Sequence, residues 1–251
     1  MSTIALVTGA SRGLGRNTAL AIAHGGGDVV VTYRGSADEA QAVVADIEAL
    51  GRRAVALQLD TGEVDAFPAF VTRLRSTLRD TWQRETFDHL VNNAGHGETA
   101  PIAETTVAQF DRLVDVHFKG VFFLTQALLP LIADGGRIVN ISTGLTRFAY
   151  PGYAAYAAAK AAVETLSVYM AKEFGARGIA VNTVAPGAIE TDFGGGVVRD
   201  NAEVNAHLAG ITALGRVGVA DDIGPMIAAL LGEANRWVNA QRIEVSGGQA
   251  I

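Results

Sequence analysis

Tyr156 and Lys160 stand four residues apart in a stretch, 153–176, whose pattern predicts a helix. At that spacing both side chains share one helix face. A phenol with an ordinary pKa of about 10 is a poor acid–base group at neutral pH. A neighbouring ammonium favours the phenolate and lowers that pKa. A tyrosine so placed can protonate a carbonyl oxygen during reduction, or accept a proton from an alcohol during oxidation. On its own, the pair equally fits a polar contact on an exposed helix face.

A second segment, Thr8-Gly9-Ala10-Ser11-Arg12-Gly13-Leu14-Gly15, joins a strand-like run to a helical one. Gly9 permits a tight turn, while Gly13 and Gly15 let a pyrophosphate approach the backbone and the helix pack closely. The spacing is GxxxGxG, not the GxGxxG of the general dinucleotide fingerprint, and alone it also fits a plain tight turn. The next strand ends Val31-Thr32-Tyr33-Arg34. A NAD site usually sets Asp or Glu there to hold the ribose 2′-hydroxyl. Arg34 and Arg12 suit a 2′-phosphate instead, because guanidinium meets phosphate bidentately. The charge argument favours NADP(H) over NAD(H); two solvated surface arginines are the alternative.

The elements that would position these residues follow from apolar runs bounded by glycines. Strands are predicted at 4–8, 28–33, 54–59, 87–92, 137–142, 179–185 and 242–245. Helices are predicted at 14–24, 38–50, within 64–84, at 107–132, 153–176 and 221–231. Nearly continuous apolar strands alternating with helices imply a parallel sheet covered on both faces. The expected fold is α/β: one Rossmann-type, doubly wound domain over residues 1–251, whose ligands bind at the carboxyl ends of the strands.

Composition narrows the function. Of 251 residues, 49% are apolar and 18% charged, which excludes a disordered chain. The absence of cysteine excludes a disulfide framework, a thiolate nucleophile and Cys-ligated metal. Five scattered histidines lack metal-site spacing, so no metal is expected. A net charge of −6 without a basic run argues against a nucleic-acid partner. No apolar stretch reaches the roughly 18 residues of a membrane span, and no signal-peptide pattern opens the chain, so no membrane partner and a cytoplasmic location are expected.

Three further segments, Asn92-Asn93-Ala94-Gly95, Tyr156-Ala-Ala-Ala-Lys160 and Asn182 to Thr191, join the glycine loop in one order. Together they resemble the short-chain dehydrogenase/reductase family, from about residue 3 to the Ser246-Gly247-Gly248 tail. The resemblance implies hydride transfer between NADP(H) and a small-molecule ketone or aldehyde, with Tyr156 as acid/base. It implies that Lys160 lowers the tyrosine pKa and binds the nicotinamide ribose. Gly9, Ser11, Arg12, Gly13, Leu14 and Gly15 are expected around the pyrophosphate, and Asp60 near the adenine. Asn92 and Ala94 are expected to flank the ribose, and Ile189 and Thr191 to meet the carboxamide. A homotetramer is expected through the fourth and fifth helices, with a second interface around Trp237.

Two positions depart from the family pattern. Family spacing puts a serine thirteen residues before the tyrosine, where this chain has Thr143. Its hydroxyl can still orient a substrate oxygen, and strand alternation favours it over Ser142. The family's asparagine, which helps hold a water leading to the lysine, is replaced by His117. An imidazole can hold that water and titrate near neutrality; a buried packing histidine without a proton role fits equally. His96 is open between pocket wall and surface. Phe148, Tyr150 and Tyr153 are expected along the pocket, and residues around 190–212 to form a lid. The alternatives carried are a nucleotide-binding sensor or assembly partner without turnover, and an NAD-linked sugar or polyol dehydrogenase.

Overall fold

Runs of β-branched residues, apolar on both faces, become the strands β1 (Ile4–Val7), β2 (Asp28–Tyr33), β3 (Ala54–Gln58), β4 (Phe87–Asn92), β5 (Ile132–Ile141), β6 (Ala180–Pro186) and β7 (Arg242–Val245). The computed structural model describes residues 2–251; residue 1 of the expected domain lies outside the described residues. All seven strands pair in parallel, in the order β3-β2-β1-β4-β5-β6-β7. The expected doubly wound α/β fold is therefore present.

Strand alternation divides the core into two layers. Ala5 and Val7 of β1 point toward α1 (Gly13–His24), α2 (Ala37–Ala49) and a later helix, while Ile4 and Leu6 point the other way. That other layer is filled by α3 (Phe67–Trp82), which contributes Phe67, Phe70, Leu74 and Leu78, all buried. Burying each such side chain contributes roughly 1.5–3 kcal/mol, which is why strands this short hold their places.

The stretch expected as one helix over 107–132 is divided. A capping box between Thr106 and Gln109 starts α4 (Val107–Val114). A π-helical segment follows at Asp115–Lys119, then α5 (Gly120–Leu128) and a short 3-10 turn, and Ile132 already belongs to β5. Gly120 sits directly on the Thr61 carbonyl, where a Cβ has no room. The wider π turn accommodates that contact, and periodicity cannot announce it because the apolar spacing is nearly unchanged. The β4–β5 register slips between Phe87 and His89, which explains why β5 begins earlier than its apolar run.

The remaining helices are α6 (Ala154–Phe174), α7 (Val197–Asp200), α8 (Ala202–Gly210) and α9 (Gly224–Leu231). The pair α7 and α8 falls in the stretch read as a lid. Among the described residues, no helix is long and apolar enough to cross a membrane.

His89 lies buried in β4, and burial pushes its pKa down to about 4. Unfolded, it titrates near 6.5, so the unfolded chain binds a proton that the folded chain refuses. Its contribution is complete above about pH 6.5 and is lost as pH falls toward 4, by roughly 3 kcal/mol. His89→Leu should flatten the fall in Tm between pH 6.5 and 4.5. A thermal-melt series showing the same slope for variant and wild type would remove His89 as its cause.

Candidate active site

The carboxyl ends of β1 to β6 open into one cavity of about 950 Å³. The glycine loop forms one end of it. Gly9 turns with φ +63°, and a Cβ there would lie 2.9 Å from the Ala94 Cα; one on Gly15 would strike the Gly9 carbonyl. The loop is fastened to the end of β4. The amides of Asn93 and Ala94 each donate to Thr8 Oγ1 at 2.9 Å, and Asn93 Nδ2 donates to the carbonyls of Thr8 (2.8 Å) and Gly9 (3.2 Å).

Gly9, Ser11, Arg12, Gly13, Leu14 and Gly15 all line the cavity, at the start of α1. A helix start with free amides is a ready anion site. Arg12 and Arg34 line the cavity too, are exposed, and among the described residues have no acidic partner. Asp60, whose Oδ1 accepts from Gly62 N at 2.9 Å, lines it after β3, and Ile189 and Thr191 line it after β6.

Asn92 is a correction. Its side chain does not line this cavity but points into the core, donating to Asn140 Oδ1 (2.8 Å) and Thr125 Oγ1 (3.1 Å). Alternation at the strand end turns it toward α5. Asn93 and Ala94 are the residues of this segment on the cavity wall, and Asn93 clamps the glycine loop as well.

Tyr156, Lys160 and Thr143 meet deeper in the cavity. Tyr156 and Lys160 are buried on α6. Lys160 Nζ donates to the Ile141 carbonyl at 2.7 Å and stands 5.9 Å from the Tyr156 ring centre. The net shift of Tyr156 runs opposite to the lowering expected from a neighbouring ammonium. Burial dominates and pushes the phenol above its ordinary value, opposed by a hydrogen bond with Thr143. Burial also pushes Lys160 down to about 8.

Thr143 Oγ1 accepts from Leu145 N at 3.3 Å, capping the turn Gly144–Thr146. Ser142, the competing hydroxyl, donates to Glu164 Oε1 at 2.6 Å. Thr143 therefore holds the place beside the phenol. Behind it runs a network that the sequence reading missed. Arg242 Nη2 donates to the Thr143 carbonyl at 3.1 Å, and its Nε donates to Glu164 Oε1 at 2.8 Å. The visible signal was Arg242 and Glu244 two residues apart in the last strand, on one face among otherwise apolar positions.

His117 lies in the π segment and is 1% exposed. Its Nε2 lies 2.7 Å from the His96 carbonyl and so donates the proton there, leaving Nδ1 as a lone pair without a partner. The ring meets Tyr156 edge-on, centres 5.0 Å apart. Burial, and next the Lys160 charge, hold its pKa well below 6.5. Both effects favour the neutral ring, against the reading in which His117 titrates near neutrality. His96 is half-buried on the cavity wall, 3.3 Å from Glu98. Phe148, Tyr150, Tyr153 and Phe193 line the cavity as well.

Comparison with known proteins gives concordant results. The profile of the enoyl-(acyl carrier protein) reductase family matches residues 9–250. A 3-oxoacyl-[acyl-carrier-protein] reductase FabG of Staphylococcus aureus is 36% identical over 250 residues, covering 99% of this chain and 98% of that protein. Among solved structures, the promiscuous reductase LugOII superposes with a TM-score of 0.94 at 37% identity, over 99% of this chain and 98% of that one. The angucycline C-6 ketoreductase LanV with bound NADP superposes with a TM-score of 0.93 at 35% identity, over 99% and 95%.

Because His117 is neutral and Lys160 titrates near 8, pH–rate profiles of wild type and His117→Asn should superimpose between pH 6 and 7.5. Both should fall above about pH 8, as the ammonium loses its proton. An acid limb near 6.5 that is present in wild type and absent in His117→Asn would restore a proton role for the ring.

Proposed function

The chain belongs to the short-chain dehydrogenase/reductase family, and on that footing we propose that it reduces the carbonyl of a ketone or aldehyde with NADPH. The observation carrying this reading is the buried trio Tyr156, Lys160 and Thr143 at the end of a cavity that begins in a glycine cradle. The cradle suits a dinucleotide: backbone at Gly9 and Gly15 leaves no room for a Cβ, and a helix start faces the same space. Two guanidiniums without acidic partners among the described residues, Arg12 and Arg34, suit a 2′-phosphate, and no carboxylate stands at the end of β2. The NADP bound in LanV is consistent with that choice.

When bound, NADPH supplies the hydride. Tyr156, kept as a neutral phenol by its burial, donates its proton to the substrate oxygen. Thr143 donates a hydrogen bond to the same oxygen and fixes its direction. Lys160 holds a positive charge beside the tyrosinate left behind and offers its ammonium to the cofactor ribose. The rigid anchor on the Ile141 carbonyl keeps that ammonium in place. An intact acid–base set argues against a sensor without turnover, and the unpaired arginines argue against an NAD-linked polyol dehydrogenase.

Residues 190–212 are proposed as a lid over the substrate. Gly194, Gly195 and Gly196 run in left-handed conformations ahead of α7, a backbone that supports hinge motion. A homotetramer is proposed through the α4–α5 and α6 surface, where Phe110, Phe122, Phe123, Val168 and Tyr169 are exposed. Trp237, 96% exposed, marks the proposed second interface. The cytoplasm is proposed as the compartment on the sequence reading alone.

Tyr156→Phe should lower kcat by about 10²–10⁴-fold while leaving the NADPH dissociation constant within about twofold. Fluorescence titration beside steady-state rates measures both, and wild-type turnover in this variant would sink the mechanism. Arg34→Leu should raise KM for NADPH by about 10–100-fold and leave KM for NADH nearly unchanged, the loss of a charge-assisted phosphate contact. Equal effects on the two cofactors would mean that Arg34 does not read the phosphate.

A further inference from the structure

We infer that the substrate is an uncharged ketone carried on a flat aromatic or fused-ring body, not an acyl thioester on a phosphorylated carrier. The inference rests on the carbonyl-reductase reading and adds to it the class of molecule that the site takes. Its basis is a division of charge and aromaticity along the cavity.

The cations of the cavity wall are Arg12 and Arg34, after β1 and β2, and Lys160 beside the reacting oxygen. Past Tyr156 the character changes. Phe148, Tyr150 and Tyr153 enter from the connection between β5 and α6, and Phe193 enters from the proposed lid. These four aromatic rings line a single wall system around the phenol. The Phe193 ring centre stands 5.7 Å from that of Tyr156.

Two of the rings are seated on glycine backbone. A Cβ on Gly144 would lie 3.0 Å from Phe148 Cε1, and one on Gly97 would lie 3.0 Å from Phe193 Cε1. Seats this close fix ring planes more firmly than flexible side chains would. The outer wall is tied across the mouth: Tyr150 Oη and His207 Nε2 lie 2.5 Å apart, joining the β5–α6 connection to α8. Fixed aromatic faces around a carbonyl-activating pair gain most from a substrate that presents a face of its own. A linear aliphatic chain fills the same volume without stacking.

The charges at this end oppose a phosphorylated carrier. Asp192 and Glu203 line the cavity there. The nearby Arg199 is committed to acids, 2.6 Å from Asp192 and 2.7 Å from Asp200. Among the described residues of the cavity wall, no arginine or lysine beyond Tyr156 is available to a carrier phosphate. A pantetheine or nucleotide phosphate would meet carboxylates there, which costs affinity.

The test uses the whole enzyme with NADPH and three carbonyls: 2-tetralone, 2-octanone and acetoacetyl-CoA. The kcat/KM for 2-tetralone should exceed that for 2-octanone by about tenfold, and that for acetoacetyl-CoA by more. Phe193→Leu and Phe148→Leu should each cut the tetralone-to-octanone ratio severalfold, and Phe193→Tyr should keep it. A parallel titration of the enzyme–NADPH complex with 2-naphthol and 2-octanol reads the same preference without turnover, and 2-naphthol should bind about tenfold more tightly. Reduction of 2-octanone or acetoacetyl-CoA in preference to 2-tetralone would overturn the inference while leaving the carbonyl-reductase reading intact. So would equal binding of the two alcohols, or leucine variants with an unchanged ratio. Failure to bind NADPH at all would overturn the underlying reading instead.

Discussion

Everything at the reacting end depends on one bond, the Lys160 ammonium donating to the Ile141 carbonyl at 2.7 Å. A buried ammonium needs an acceptor, and the last carbonyl of β5 supplies it. That bond ties α6 to the end of the central strand and so places Tyr156, one turn earlier on the same helix face. The same dry surroundings act on both groups in opposite senses. Burial lowers the lysine to about 8 and raises the tyrosine, so each is driven toward its neutral form. The consequence is directional. The phenol keeps its proton until a basic oxygen develops nearby, and the ammonium's stabilisation is felt chiefly after the proton has left. An interaction that grows along the reaction lowers the barrier, whereas one present from the start does not.

Thr143 is held by comparable means from behind. Glu164 gathers Ser142 Oγ, Thr146 Oγ1 and Arg242 Nε on one oxygen, at 2.6, 2.8 and 2.8 Å. Arg242 passes on to the Thr143 carbonyl and to Glu244, which in turn holds Arg147 at 2.6 Å. The hydrogen bond from Arg147 lowers Glu244 most; burial opposes it, but with the bonds from Arg242 and Ser246 the carboxyl is left at about 2 and stays ionised across the working range. The network joins β7, α6 and the loop after β5. A half-buried guanidinium with several acceptors is worth more as a geometric restraint than as stability, because its desolvation offsets much of its attraction. The Thr143 backbone, and with it the place of its side chain, is thereby tied to a residue 99 positions away.

Much of this was legible in the sequence, for stated reasons. Strands such as Asp28–Tyr33, Phe87–Asn92 and Arg242–Val245 could be read to the residue, since β-branched runs bounded by turn residues leave little choice. The glycine loop, the Tyr–Lys pair and both cavity-lining arginines could be read because their chemistry is local. What escaped is long-range. Asn92 and Asn93 are identical side chains in adjacent positions, and only the pleat decides that one enters the core and the other the cavity. The Arg242 network joins residues far apart in the chain. The π segment ends at Gly120, which packs against the Thr61 backbone, a contact invisible to periodicity. The opposed effect of burial on Tyr156 and Lys160 also escaped, because spacing reports proximity and says nothing of dielectric.

His117 shows how a single substitution is absorbed by its surroundings. An imidazole is bulkier than a carboxamide, and here it fits because the π turn widens the helix and because Gly95 has no side chain: a Cβ there would lie 2.7 Å from His117 Cε1. The His96 carbonyl fixes the tautomer by taking the Nε2 proton. A protonated ring would need a second acceptor at Nδ1, where there is none among the described residues, and would stand beside Lys160 as a like charge. Both effects work against ionisation. The ring therefore stands perpendicular to that of Tyr156, and contributes shape and an unpartnered Nδ1 acceptor instead of a proton. With His117 neutral, Lys160 is the one full positive charge beside the phenol among the described residues of the cavity wall.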